Sequence, residues 1–138
     1  MSQTMFPFLR YKDAKAAIAW LCDAFGFERI AVHESNGYVE HAELAFGDSI
    51  VMLGSKRDGA PIRLLTPDEA GGVTAGIYIA VSDADKHHDR ALAAGARIVH
   101  ALTDQDYGSR DYSCLDPEGN LWSFGTYAPS RSKSAISS

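Results

Sequence analysis

The chain has 138 residues, is 46% hydrophobic and carries a formal net charge of −5, which fits one ordinary domain or two small modules. No basic stripe points to nucleic acid, no apolar run approaches the roughly 20 residues that cross a bilayer, and the N-terminus lacks the pattern of a signal peptide. With two cysteines far apart, typical of free thiols in a reducing cytosol, we expect a soluble cytoplasmic protein with no nucleic-acid or membrane partner.

The first predicted unit starts at residues 5–27, MFPFLRYKDAKAAIAWLCDAFGF. A run that alternates like a strand precedes Asp13, whose short carboxylate suits the N-cap of a helix, and Gly26 suits the left-handed position that ends one. The apolar face of this helix follows the helical period and comprises Ala17, Trp20, Leu21 and Ala24. Three strand-like runs follow, FERIAV, YVEHAELAF and IVMLG, separated by turn sequences.

Residues 56–73, KRDGAPIRLLTPDEAGGV, are rich in Gly, Pro and charge and are predicted to connect two units. The second unit starts at residues 75–96, AGIYIAVSDADKHHDRALAAGA, where Asp83 and Gly95 repeat Asp13 and Gly26 with one single-residue gap. Its helix has a weaker apolar face, comprising Ala84, His88, Ala91 and Leu92. The strand-like runs ARIVHAL, SRDYSCL and LWSFGTY follow.

The repeat predicts two β-α-β-β-β modules, at residues 1–55 and 74–128, with a disordered tail at 129–138. Such a tandem pair resembles the vicinal oxygen chelate superfamily, which contains glyoxalase I, extradiol dioxygenases and bleomycin resistance proteins. The segments YGSRDYSCLDPEGNLWSF and HAELAFGDSIVML are especially similar to PhnB-like and bleomycin-resistance-like members. The resemblance implies an α+β fold in which two curled half-barrels surround a cavity, with the helices on their outer faces, and a homodimer.

The resemblance also implies where a metal ion would bind. Metal-dependent members use one position in the first strand and one in the last strand of each module, and these positions match Phe6, Met52, Gly76 and Ser123. None supplies the imidazole, carboxylate or thiolate that a divalent cation prefers. We therefore expect no metal and no cofactor, which argues against glyoxalase I and dioxygenase chemistry, since both need a metal to hold vicinal oxygens.

Strand alternation predicts the residues of the cavity wall. The wall comprises Phe6, Phe8, Arg10, Ile50, Met52, Tyr78, Leu121 and Ser123. This mixture suits an organic molecule with a flat or apolar surface and an anionic or polar end. The alternative is that these side chains simply fill the barrel.

The resemblance adds two further candidate ligand-binding residues. Tyr107 and Arg110 match an aromatic-Gly-x-Arg segment that lies near the ligand groove at the subunit interface of bleomycin-resistance-like proteins. The structural alternative is that Tyr107 covers a core edge and that Arg110 pairs with Asp106 or Asp111.

Among the histidines, His41 alternates with Glu43 on one face of a predicted strand. The pair either lies at a solvent-facing strand edge or reaches into the cavity as a polar group. His87 and His88 are adjacent on the second helix, point about 100° apart, and are expected on a solvated face.

Three functions remain open. The favoured one is a metal-free homodimer that binds a small organic ligand in a dimer groove. The second is a glyoxalase-like lyase or isomerase that uses a divalent metal or acid–base chemistry by His41, Glu43 or Arg110. The third is an interaction protein whose cavity is collapsed.

Overall fold

The computed structural model describes residues 3–131 and contains two β-α-β-β-β modules in tandem. The first module comprises β1 (Phe8–Tyr11), α1 (Ala14–Phe25), β2 (Glu28–Ser35), β3 (Tyr38–Phe46) and β4 (Ser49–Ser55). A short helix, α2 (Pro67–Ala70), interrupts the connection. The second module comprises β5 (Gly76–Ala80), α3 (Ala84–Ala93), β6 (Arg97–Asp104), β7 (Arg110–Leu115) and β8 (Leu121–Gly125). The predicted α+β class is confirmed; most of the predicted tail, residues 132–138, lies outside the described residues.

Each module forms one four-stranded sheet, with strand orders β1-β4-β3-β2 and β5-β8-β7-β6. In both sheets the first strand is parallel to the last, and the remaining pairs are antiparallel. The register is also repeated, because Phe8 lies beside Met52 and Tyr78 lies beside Ser123. The two halves of the chain therefore superimpose in topology as well as in sequence pattern.

The predicted helix boundaries are confirmed by their caps. Asp13 and Asp83 each accept a hydrogen bond from the backbone N–H three residues further on, at 3.1 and 3.0 Å. Gly26 and Gly95 follow the two helices with φ values of 84° and 96°, a conformation that costs glycine little because it has no Cβ.

The helices pack against each other on the inner side of the two sheets, so the modules share one core. Phe25 of α1 contacts the rings of Trp122 and Phe124 in the second sheet, with centroid distances of 5.5 and 4.7 Å. The indole N–H of Trp20 donates to the carbonyl oxygen of Ala94 at 2.8 Å, which satisfies one of the free carbonyls at the end of α3.

A buried carboxylate also joins the modules. Asp116, in the turn before β8, accepts hydrogen bonds from the Tyr11 hydroxyl at 2.6 Å and the Trp122 indole at 3.1 Å. It accepts two more from the backbone N–H groups of Glu118 and Asn120. Because a buried charge is costly without partners, these four bonds make the D-P-E-G turn part of the core.

The faces of the two sheets that point away from the helices remain open in one chain. Phe8 keeps 53% of its surface exposed and Tyr78 keeps 39%, whereas Val51, Leu53, Trp122 and Phe124 on the opposite faces are buried. The helices lie on the faces of the sheets opposite to the predicted cavity wall, but in one chain these two faces meet in the shared core between the sheets. The two half-barrels therefore do not enclose the expected cavity within one chain. In the part of the chain that is described, no helix is long and apolar enough to cross a membrane.

Candidate functional site

The open face of the first sheet combines apolar and charged side chains. We define it by Phe8, Arg10, His41, Glu43 and Met52. Met52 lies between Phe8 on β1 and Glu43 on β3 in the sheet register. A hollow of about 240 Å³ is lined by Phe8, Arg10, His41 and Met52, so four of the five residues meet in one place.

A histidine–glutamate pair marks one side of this face. The Nε2 atom of His41 lies 2.9 Å from Oε2 of Glu43, and both side chains are partly exposed. The ring of His33 on β2 lies over that of His41, with the centroids 6.3 Å apart. The pair stands next to the hollow and could exchange a proton with a bound molecule.

The open face of the second sheet carries hydroxyl groups and the carboxylate of Asp111, and among the described residues it has no arginine. We define it by Tyr78, Asp111, Ser113, Leu121 and Ser123. The hydroxyls of Ser113 and Ser123 lie 2.7 Å apart across β7 and β8. Tyr78 crosses Gly125, where an added Cβ would come within 2.6 Å of the phenol oxygen, and its hydroxyl donates to the Tyr127 carbonyl at 2.6 Å.

Tyr107 lies at the rim of this second face. It is 66% exposed, packs edge to face on Tyr127 at 5.7 Å, and points its hydroxyl at a carboxylate oxygen of Asp111, 3.4 Å away. Partial desolvation and the Asp111 charge raise the pKa of Tyr107, so its hydroxyl remains a hydrogen-bond donor at neutral pH.

A second hollow, of about 320 Å³, lies between the β3–β4 turn region of the first module and strand β5 of the second. It is lined mainly by apolar side chains from both modules, which include Phe46, Ile50, Ile77 and Ile79. Tyr78 borders it as well, so this hollow adjoins the second open face.

The open faces do not fit a metal ion. The four positions that the sequence indicated are occupied by Phe6, Met52, Gly76 and Ser123, and the register sets Phe8 and Tyr78 beside the last-strand members. Within residues 3–131, no three His, Cys, Asp or Glu side chains come together as a ligand set. At those four positions, carbon, a thioether and a neutral hydroxyl are a poor donor set for a divalent cation, and His41 and Glu43 of the first face gain no third such ligand among residues 3–131.

Arg110 is held on the helix-facing side of the second sheet. It shares the face of buried Tyr112 on β7 and forms a two-pronged ion pair with Asp85 of α3, with both N–O distances at 3.0 Å. Its second partner is Asp104, at 3.2 Å, and these two carboxylates raise its pKa. The alternative that Arg110 pairs with Asp106 or Asp111 is therefore wrong, and the geometry does not bring Arg110 to the open face.

His87 does not lie on a solvated helix face, so that expectation is wrong. Its Nδ1 atom is 2.6 Å from the Tyr112 hydroxyl and its Nε2 atom is 3.0 Å from the Phe25 carbonyl. Burial lowers the pKa of His87. Leu92, which was expected on the apolar face, is 52% exposed instead, because the helix turns His87 inward between the modules.

The sequence missed Arg57, Asp111 and Tyr127 at these faces. Arg57 and Tyr127 follow the last strands β4 and β8, where no periodicity indicates the direction of a side chain. Cys114 is fully buried in the core, and burial raises its pKa to about 12, so its thiol is not in the reactive thiolate form at neutral pH.

Sequence comparison finds a family model that matches residues 3–124, described as the Glyoxalase/Bleomycin resistance protein/Dioxygenase superfamily. An uncharacterized protein of Mycobacterium bovis is 36% identical over 124 residues, which are 86% of this chain and 80% of the relative. A second, from Mycobacterium tuberculosis, is also 36% identical over 124 residues, with 71% of the relative covered.

Comparison of structures gives the same picture. The crystal structure of TioX from Micromonospora sp. ML1 matches with a TM-score of 0.72 at 36% identity, covering 93% of this chain and 98% of that one. A bleomycin resistance determinant encoded on the transposon Tn5 matches with a TM-score of 0.68 over 93% of this chain and 100% of that one, and a glyoxalase I mutant from Zea mays matches at 0.70 over 92% and 46%. Both of these are 18% identical and show the fold alone.

Proposed function

The chain belongs to the glyoxalase/bleomycin resistance protein/dioxygenase superfamily, and from this membership we propose that it binds a small, partly aromatic or apolar organic molecule without a metal ion. The observation that carries the proposal is the exposure of Phe8 and Tyr78, at 53% and 39%. They lie beside Met52 and Ser123, two of the positions where metal-dependent relatives would place ligands and where neither side chain is a good donor for a divalent cation. Exposed aromatic side chains beside a hollow favour an organic ligand.

The proposal includes a homodimer in the cytoplasm. Each open face is left uncovered within one chain. A second copy of the chain would cover it and turn the face into a groove. Burying exposed aromatic side chains would also favour such an association. The free thiols of Cys22 and Cys114 support a reducing compartment.

Binding of a neutral aromatic probe tests the proposal. N-phenyl-1-naphthylamine fluoresces more strongly in apolar surroundings and carries no charge. We expect saturable binding by the wild-type protein and a rise in Tm, since a ligand that binds only the folded state stabilises it by mass action. Phe8→Ala and Tyr78→Ala should each weaken binding roughly tenfold, because each removes a large apolar contact.

Leu92→Ala is the matched control, since Leu92 is 52% exposed, much like Phe8 at 53%, but lies on α3 away from both faces. It should leave probe binding unchanged. If the wild-type protein fails to bind the probe, or if Leu92→Ala weakens binding as much as Phe8→Ala does, the open faces are not the ligand site. Failure to bind would favour an interaction protein with a collapsed cavity.

One observation favours a second candidate, a glyoxalase-like lyase or isomerase. The His41–Glu43 contact of 2.9 Å beside the hollow could move a proton without a metal, whereas the divalent-metal form would need at least one further ligand that no His, Cys, Asp or Glu among residues 3–131 supplies there. Arg110 contributes less to this alternative, because Asp85 and Asp104 hold it elsewhere. Turnover of a hemithioacetal that Glu43→Gln abolishes, with N-phenyl-1-naphthylamine binding intact, would establish the enzyme over the binding protein.

A further inference from the structure

Two guanidinium groups meet on the open face of the first sheet. Arg10 lies on β1, two residues after Phe8 and on the same side of the strand. Arg57 follows the end of β4, and both arginines line the hollow of about 240 Å³ together with Phe8 and Met52. No equivalent of this pair exists in the second module, where Ala80 takes the place of Arg10 in the repeat.

The backbone makes room for Arg10. Its partner in the parallel register of β1 and β4 is Gly54, and a Cβ added there would come within 2.7 Å of the Arg10 Nη1 atom. The guanidinium therefore lies over a glycine of the sheet, where a larger residue would displace it. Contact with Gly54 keeps the Arg10 guanidinium in the hollow.

Arg57 is held by a different contact. Its Nη2 atom donates to the backbone carbonyl of Glu40 at 2.9 Å, which leaves its other N–H donors available. One hydrogen bond to a neutral oxygen orients the side chain but leaves its charge unpaired.

Neither guanidinium has a counter-ion within residues 3–131. Among the described residues, no carboxylate oxygen lies within 4.0 Å of Arg10 or Arg57, although Arg63 and Arg110 both have one. Two acidic residues lie near the pair: Glu43 is engaged by His41, and Glu40 lines the hollow but contacts Arg57 only through its backbone carbonyl. Burial and the charge of Arg57 lower the pKa of Arg10, as expected for two like charges that share one hollow.

We propose that Arg10 and Arg57 bind the oxyanion of an organic carboxylate, sulfonate or phosphate ester whose apolar part lies on Phe8 and Met52. The inference rests on the proposed function, because it assigns one end of the same ligand. The planar donors of arginine match two oxygens of such a group. An oxyanion between the two guanidinium groups would also remove the repulsion between them. The first module therefore selects ligands by charge, and the neutral remainder of the ligand contacts the apolar residues.

Two probes distinguish the contribution of charge to binding from that of apolar contact. 1-Anilinonaphthalene-8-sulfonate carries a sulfonate on the same aromatic framework that N-phenyl-1-naphthylamine presents without charge. We expect wild-type protein to bind the sulfonate more tightly. Arg10→Gln and Arg57→Gln should each weaken sulfonate binding roughly tenfold, the loss of one charge-assisted contact, and should change binding of the neutral probe less than about twofold.

Arg29→Gln is the matched control, because it removes the same charge from the first module at a position on β2 outside the hollow. Displacement of the sulfonate probe by benzoate and by phenyl phosphate then tells which oxyanion the pair prefers. Circular dichroism of each variant checks that it is folded, and Arg10→Lys, which keeps the charge but loses the planar fork, should lie between wild type and Arg10→Gln.

The outcomes distinguish this inference from the proposed function. If both probes bind equally well and neither arginine variant changes sulfonate binding, the anion site is wrong while ligand binding stands. If Arg29→Gln weakens sulfonate binding as much as Arg10→Gln does, the effect is one of overall charge and the inference is overturned. If the wild-type protein binds neither probe, both proposals fail.

Discussion

The open faces of the two sheets share one backbone topology but carry different side chains. In each, the first strand lies parallel to the last in the same register, and a glycine of the last strand, Gly54 or Gly125, makes room for a first-strand side chain. In the first module that side chain is the guanidinium of Arg10, and in the second it is the phenol of Tyr78. The repeat therefore fixes where a side chain stands, while its chemistry has diverged between the halves.

The helix-facing sides differ much less. Both contribute buried apolar residues to one shared core, and Asp116 ties Tyr11 of the first module to Trp122 of the second. Substitutions on the helix-facing sides should therefore change the free energy of unfolding, and those on the open faces should chiefly change binding.

The largest expected effect on stability is at Asp116, which joins the two modules in the core. Asp116→Ala removes an acceptor of four hydrogen bonds from a residue that is 5% exposed, so buried donors from both modules lose their partner. We expect a loss of about 3–5 kcal/mol in the free energy of unfolding, measured by urea denaturation. The control Asp106→Ala, at an exposed turn position, should change it by less than about 0.5 kcal/mol. Equal effects of the two would refute the shared core.

The second prediction concerns Gly125, which lies under Tyr78. Gly125→Ala would bring a Cβ to 2.6 Å from the Tyr78 oxygen and 2.7 Å from the Cβ of Asp111, and overpacking of this kind costs about 1–3 kcal/mol. Adding Tyr78→Phe removes one of the two contacts and should return part of the loss in urea denaturation. If the double variant is no more stable than Gly125→Ala alone, Tyr78 does not lie across the glycine.

The third prediction concerns a position where the modules differ inside the core. His87 occupies the place in α3 that Ala17 holds in α1, four residues after the capping aspartate. Burial lowers the pKa of His87 in the folded state, so below an unfolded pKa of about 6.5 the unfolded chain binds more protons than the folded one. Stability contributed by neutral His87 is thus complete above that pH and is lost as pH falls through the folded pKa.

Unfolding experiments at a series of pH values between about 8 and 5 check this dependence. His87→Gln, which retains a donor and an acceptor for Phe25 and Tyr112, should flatten the decline on the acidic side. An identical decline in wild type and variant would contradict a neutral His87 between the modules.

The smallest expected effect lies on the open face itself. Tyr78→Phe removes a hydroxyl that donates to the Tyr127 carbonyl at 2.6 Å, and Tyr38→Phe in the first module removes one that donates to Lys56 at 3.5 Å. Both tyrosines are 39% exposed, so the pair is matched. We expect a loss of about 0.5 kcal/mol for Tyr78→Phe and less for Tyr38→Phe by urea denaturation. A loss above about 2 kcal/mol for either would mean that an open face supports the fold.

Much of the fold follows from local rules. Asp13 and Asp83 begin helices because short carboxylates satisfy the first N–H groups, and alternation assigned Phe8, Arg10 and Tyr78 to the faces away from the helices. These features depend on neighbours in the sequence, which a single chain displays directly.

What the sequence could not predict depends on distant contacts. Arg110 pairs with Asp85 because the packing of α3 on β7 brings together residues 25 positions apart. Arg57 joins Arg10 because the chain leaves β4 in a direction that no periodicity encodes. His87 is drawn inward because the helix has a weak apolar face, and only the packing of the modules decides which side of it is buried.

The measurement that tests the central claim most directly is the metal content of the purified protein. Cells would be grown in medium supplemented with zinc, nickel, manganese and iron, and the protein purified without chelators and examined by inductively coupled plasma mass spectrometry. A tight metal site needs several deprotonated donors in place. We therefore predict less than about 0.1 equivalent of any of these metals per chain. About one equivalent per chain, retained through gel filtration, would contradict it.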